Sequence, residues 1–193
     1  EPTIRVAEGL VKAANHESLV ILTVYSPLMH AIRQADAETF ANHLYEKPEA
    51  VAKGLSILTE NVLRLVRGCM RVGVDGFYVS TQGGEASRFE DKSIFKKYIK
   101  PTDLAIWEEI QNCRFNILHV CDYEGSYDDL TPFLDYPGHV VNCSLNLGDK
   151  MLAAKEISEM FDRPFMGGLE RKGVIATGKK QAIRQAVNSV LTQ

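Results

Sequence analysis

Apolar positions along this chain follow two alternating rhythms. Ser18–Tyr25 (SLVILTVY) is continuously apolar and rich in β-branched residues, as a strand buried on both faces is. Ile4, Ala7, Leu10, Val11 and Ala14 instead recur at helical spacing, and so predict an amphipathic helix. Val51, Leu55, Leu58, Val62, Leu65 and Cys69 share one face of a long helix that Pro48 opens and Gly73 closes, proline being tolerated at a first turn and glycine favoured just past an end. Short helices are predicted over Leu28–Arg33 and Ala37–Tyr45. Strands are expected near residues 19–25, 76–80, 116–121, 139–145 and 164–168. A helical region broken at Pro101, with Trp107 and Ile110 buried, precedes the third strand. Asp149 is expected to cap a helix striped by Met151, Ala154, Ile157 and Met160, and a last helix covers Ala182–Val190.

Strand and helix alternate to the end, which predicts an α/β domain with a parallel sheet covered by helices. An open doubly wound sheet and a (β/α)8 TIM barrel compete. No G-x-G-x-x-G follows the first strand, and neither Gly83-Gly84 nor Gly167-Gly168 fits a phosphate-binding fingerprint. Polar residues gather just after the strands: Ser26, Gln82, Asp122, Asn146 and Glu170. Those are the places where a barrel keeps its chemistry, so Ser26, Gln82, Asn146 and Glu170 are candidate substrate-binding residues. Five β/α units are fewer than the eight a barrel closes with, in typically about 250 residues. Residues 1–193 therefore read as a single domain, an incomplete barrel. Its outer strands lack the lysines, prolines or bulges that protect an edge, so a companion segment or a second copy of the chain is expected to cover them.

Composition narrows the function. A net charge of −3 over 193 residues offers no basic footprint for nucleic acid. No apolar run reaches the roughly 18 residues of a membrane span. Cys69, Cys113, Cys121 and Cys143 show no C-x-x-C pairing, and a reduced, cytoplasmic setting is the simplest reading.

The chemistry-bearing stretch is Asn116-Ile117-Leu118-His119-Val120-Cys121-Asp122. Residues i and i+2 of a strand face the same way, so His119 and Cys121 point to one side and can share one ion. Imidazole nitrogen and thiolate sulfur are both good zinc ligands. A core histidine beside a small apolar cysteine is the competing reading, since two ligands do not make a site. Asp122 either orients His119 or is a solvated loop acid. Cys143 reads as a buried structural thiol, and His139 as structural.

Tyr25-Ser26-Pro27, Gly73-Val74-Asp75-Gly76-Phe77, Asn116 to Cys121 and Gly167-Gly168-Leu169-Glu170-Arg171, in that order and spacing, resemble the uroporphyrinogen decarboxylase superfamily. The similarity covers essentially the whole chain and corresponds to the third through seventh β/α units of that barrel. Two branches differ in chemistry. The decarboxylase, a lyase of porphyrin biosynthesis, needs no cofactor and uses a tyrosine in the loop after the third strand. Arg33 stands at that position here. The methylcobamide:thiol methyltransferases carry H-x-C on the fifth strand and a further cysteine on the eighth, which together hold zinc. His119-Val120-Cys121 matches that motif. The resemblance thus implies zinc at His119 and Cys121 with a third ligand outside this chain. It also implies a corrinoid methyl donor, free or presented by a corrinoid protein, and a small thiol or other one-carbon acceptor. A decarboxylase and a non-catalytic barrel are the alternatives.

Overall fold

The computed structural model describes residues 2–169 and 173–192. Four parallel strands form its sheet: β1 (Ile21–Tyr25), β2 (Gly76–Thr81), β3 (Ile117–Val120) and β4 (Val140–Asn142). They lie side by side in sequence order. Tyr25 pairs with Ser80, Ser80 with His119 and His119 with Asn142, so these four form one row across the sheet.

Helix α1 (Pro2–Ala14) precedes β1, and α2 (Pro27–Ala35), α3 (Ala37–Glu46) and α4 (Pro48–Arg71) join β1 to β2. Pro48 sits in the first turn of α4. Gly73, at φ +94°, closes that helix by donating its N–H to the Met70 carbonyl. A π-helical turn (Phe95–Ile99) runs into α5 (Lys100–Ile110) between β2 and β3. The expected break at Pro101 is therefore a change of pitch. Proline lacks the N–H an α-turn would use and its ring crowds the preceding turn, and a wider turn accommodates both.

The chain after β4 departs furthest from expectation. The fifth strand shrinks to one parallel bridge between Val141 and Phe165. Gly168 at φ +92° leaves the extended region and ends the pairing. A small antiparallel hairpin, β5 (Asn146–Leu147) with β6 (Lys150–Met151), was not foreseen. Asp149 lies in its turn and caps no helix. Helix α6 (Ala154–Phe161) starts where Glu156 Oε2 accepts the Ala153 N–H at 2.7 Å. Met151, expected in that helix, is on β6 and exposed. Helices α7 (Val174–Thr177) and α8 (Lys180–Leu191) follow. Among the described residues no helix is long and apolar enough to cross a membrane.

Strand alternation divides the sheet into two unlike faces. Val24, Phe77, Val79, Leu118, Val120 and Val141 are each no more than 2% exposed, in the core that the helices complete. Burying each such side chain contributes roughly 1.5–3 kcal/mol, so this face carries the fold. The other face presents Thr23, which is exposed, and Tyr25, Tyr78, His119 and Asn142, which are half-buried.

Polar stitching fixes the register. The Asp75 carboxylate accepts the Val20 N–H at 2.8 Å, tying the entry of β1 to that of β2. Asn116, 2% exposed, does more. Its Oδ1 accepts the Phe77 N–H at 3.0 Å, and its Nδ2 donates to the Ile110 carbonyl at 2.8 Å. Its N–H donates to His139 Nδ1 at 2.9 Å, which gives that histidine a structural role.

Gly76 shows how tightly this end is packed: a Cβ there would lie 1.7 Å from the Phe115 carbonyl oxygen. Backbone cannot swing aside as a side chain can. Gly76→Ala is expected to lower stability by about 1–3 kcal/mol, the range for overpacking, measured as a shift of the denaturant midpoint. An unchanged midpoint would mean that β2 and β3 slide apart freely here.

Candidate functional site at the strand ends

His119 and Cys121 lie at the C-terminal end of β3, the first on the strand and the second one residue past it. The His119 ring packs on Tyr78 of the neighbouring strand, with centroids 5.0 Å apart and planes at 33°. The Tyr78 hydroxyl donates to Asn142 Oδ1 at 2.6 Å, and Asn142 Nδ2 donates to the Met166 carbonyl. Burial pushes the Tyr78 hydroxyl up to about 12, helped by Cys121 and Asp122 nearby. It therefore stays a hydrogen-bond donor through the physiological range.

Cys121 is 7% exposed and held at three points. Its N–H donates to the Thr81 carbonyl at 3.0 Å, the extension of the β2–β3 ladder. Its carbonyl accepts from the Tyr127 hydroxyl at 3.1 Å, and its Sγ from Gln82 Nε2 at 3.7 Å.

A cleft of about 720 Å³ opens beside His119. Tyr78, Asp122, Asn142, Cys143 and Asn146 line one side, and Gly167 to Leu169 with Val190 of α8 line the other. Burial, and then the charge of Asp122, push the Cys143 thiol up to about 12. Cys143 consequently faces the cleft as a neutral thiol, a poor nucleophile.

The sequence-picked residues separate. His119 and Asn146 share the cleft. Ser26 and Gln82 do not reach it. Ser26 is 1% exposed, and its Oγ accepts the Met29 N–H at 3.3 Å as the cap of α2. Gln82 is 2% exposed and turned toward Cys121. Glu170 lies outside the described residues. Tyr78, Asn142 and Tyr127 were missed. The alternation of β2 places Tyr78 on the same face as Ser80, and that was the available signal for it.

The nitrogen and sulfur of His119 and Cys121 form a donor pair of the kind zinc prefers. Among the described residues, however, no three His, Cys, Asp or Glu side chains gather as a metal-binding group. His119 and Cys121 are two candidate ligands, where a zinc site needs three or four.

Behind the sheet lies a second buried polar cluster. Asp103 of α5 is 1% exposed, and the hydroxyls of Thr81 and Tyr136 both donate to its Oδ2, the second at 3.0 Å. Its Oδ1 and the Trp107 Nε1 one turn on are buried without hydrogen-bond partners among the described residues. Burial outweighs the two hydroxyl bonds and raises the Asp103 carboxyl to about 7.

The structure resembles that of a methyltransferase from Methanosarcina mazei, with a TM-score of 0.76 and 14% sequence identity. The match covers 98% of this chain and 54% of the other, so this chain spans about half of it. No curated protein matches. At that identity the likeness establishes the fold: the four-stranded sheet with one helix-covered face is an incomplete TIM barrel. The half-buried row of Tyr25, His119 and Asn142 is then the inward side of its wall. The family model for uroporphyrinogen decarboxylase matches residues 2–193, and the chain belongs to that family.

Proposed function

We propose that this chain is part of a zinc-dependent methyltransferase that moves a methyl group from a corrinoid to a thiol or another one-carbon acceptor. The observation that carries the reading is the pair His119 and Cys121 at the end of β3, with the Cys121 sulfur held by Gln82. In this reading His119 and Cys121 hold zinc together with a cysteine from a strand outside this chain. Zinc there supplies Lewis acidity, which keeps a substrate thiol deprotonated at neutral pH.

The chain's own residues have distinct tasks. Tyr78 packs on the His119 ring and fixes its plane, and Asn142 fixes Tyr78 in turn. Asn146 and the backbone of Gly167 and Gly168 line the space for a small substrate. The corrinoid is a partner in this proposal, free or carried by a protein, as is the segment that completes the barrel.

The alternative is decarboxylation of a porphyrinogen. Against it stands Arg33, at the position where the resemblance expects a tyrosine. Its guanidinium lies 4.3 Å from the centroid of the Tyr25 ring, so a cation occupies that place instead of a phenol.

Metal analysis of the purified full-length protein, with assays of methyl transfer from a methylated corrinoid to a thiol, tests the proposal. Retained zinc with thiol methylation is the expected result. A protein that retains no metal and decarboxylates uroporphyrinogen would establish the lyase, and one inert in both assays the non-catalytic barrel.

A further inference from the structure

We infer that Gln82 is a positioning residue for Cys121, its carboxamide N–H donating to the sulfur that the metal takes. This rests on the zinc reading above and assigns Gln82 to the metal ligand in place of the substrate. The dipeptide Thr81-Gln82 grips Cys121 twice: the Thr81 carbonyl accepts its N–H at 3.0 Å, and Gln82 Nε2 reaches its Sγ at 3.7 Å. That dipeptide is itself anchored, since the Thr81 hydroxyl donates to the buried Asp103, which Tyr136 also holds. The backbone that carries Gln82 is thus anchored by contacts on the far side of the sheet.

The choice of partner is informative. A neutral thiol is a weak hydrogen-bond acceptor, so a carboxamide only 2% exposed gains little from one. A metal-bound thiolate carries charge, and hydrogen bonds to charged groups are roughly twice as strong. The geometry therefore suits a sulfur that spends its working life bound to a cation. Hydrogen bonds of this kind orient ligands and tune the metal they hold.

Cobalt(II) and an NMR-active cadmium isotope serve as probes on the full-length protein. Wild type is expected to show a thiolate-to-cobalt charge-transfer band. With cadmium bound, a scalar coupling should link the metal to a Gln82 Nε2 hydrogen through the Cys121 sulfur. Gln82→Glu keeps the shape but removes the donor, and Gln82→Met removes it without adding charge. Both are expected to bind cobalt about 10–100-fold more weakly, the range for partners of metal ligands, and to shift the band while melting like wild type. Cadmium bound without the coupling, or variants with wild-type affinity and band, would overturn the inference alone. A wild type that binds neither metal would overturn the zinc reading and this inference with it. Should both variants fail to fold, the wild-type coupling decides.

Discussion

On the proposed zinc reading, Cys121→Ser in the full-length protein is expected to reduce bound zinc from near stoichiometric to background and to abolish thiol methylation, with the fold unchanged. Serine is close in size to cysteine, and the Gln82 amide and the Thr81 and Tyr127 contacts keep a polar partner or act on the backbone. A hydroxyl does not match a thiolate as a zinc donor, so the loss falls on the metal. The barrel wall is held by the apolar side chains on the helix-covered face, so the circular-dichroism melt should stay close to wild type. The measurement is zinc content and methyl transfer on both proteins. Unchanged zinc stoichiometry in Cys121→Ser would remove Cys121 from the site and the methyltransferase reading with it.

Asp103 is expected to make stability fall as pH rises toward neutrality. Its carboxyl sits near 7 in the fold, against about 3.9 for an unperturbed aspartate. The folded state thus holds the proton more tightly than the unfolded chain does. The resulting stabilisation is fully present below about pH 4 and is lost as pH rises through about 7. Across that window the loss is on the order of 4 kcal/mol. The cause is burial, which the two hydroxyl bonds only partly offset. Asp103→Asn cannot ionise and should flatten this part of the profile. Exposed carboxylates with lowered values, such as Asp36 and Asp91, slope the other way, but they are common to both proteins and cancel in the difference. Urea unfolding of both at about pH 4, 6 and 8 reads the effect directly. Parallel profiles would show that Asp103 ionises freely inside the fold and that water reaches it.

The order and direction of the strands were legible because continuous β-branched runs alternating with helical stripes leave few arrangements. The pair at 119 and 121 was legible because strand periodicity alone puts both on one side. The walls of the cleft were not. Tyr78 and Asn142 meet His119 through register between strands, which one strand's sequence does not contain. Ser26 and Gln82 misled for a related reason. A position after a strand is at the mouth, but whether the side chain turns to the opening or back into the fold depends on its partner. Ser26 found an unsatisfied helix N–H, and Gln82 a sulfur. The segment after β4 failed on local backbone. Its run 164–168 reads as strand, but Gly168 at φ +92° leaves extended geometry, and the pairing is limited to the bridge at Phe165.

Asn116 gives the wall a property that no single strand has. Its side chain is satisfied only when β2 supplies the Phe77 N–H and α5 supplies the Ile110 carbonyl. Its backbone needs His139 just ahead of β4, on both sides of the peptide: Nδ1 accepts from Asn116 N–H, and the His139 N–H donates to the Asn116 carbonyl at 2.8 Å. Opening any one of these elements strands a buried polar group, which costs more than the bond itself contributes. Partial opening is therefore penalised from every direction, and the β2–α5–β3–β4 stretch becomes one cooperative unit. In native-state hydrogen exchange, the amides of Phe77, Asn116 and His139 should share one opening free energy although 62 residues separate the first from the last.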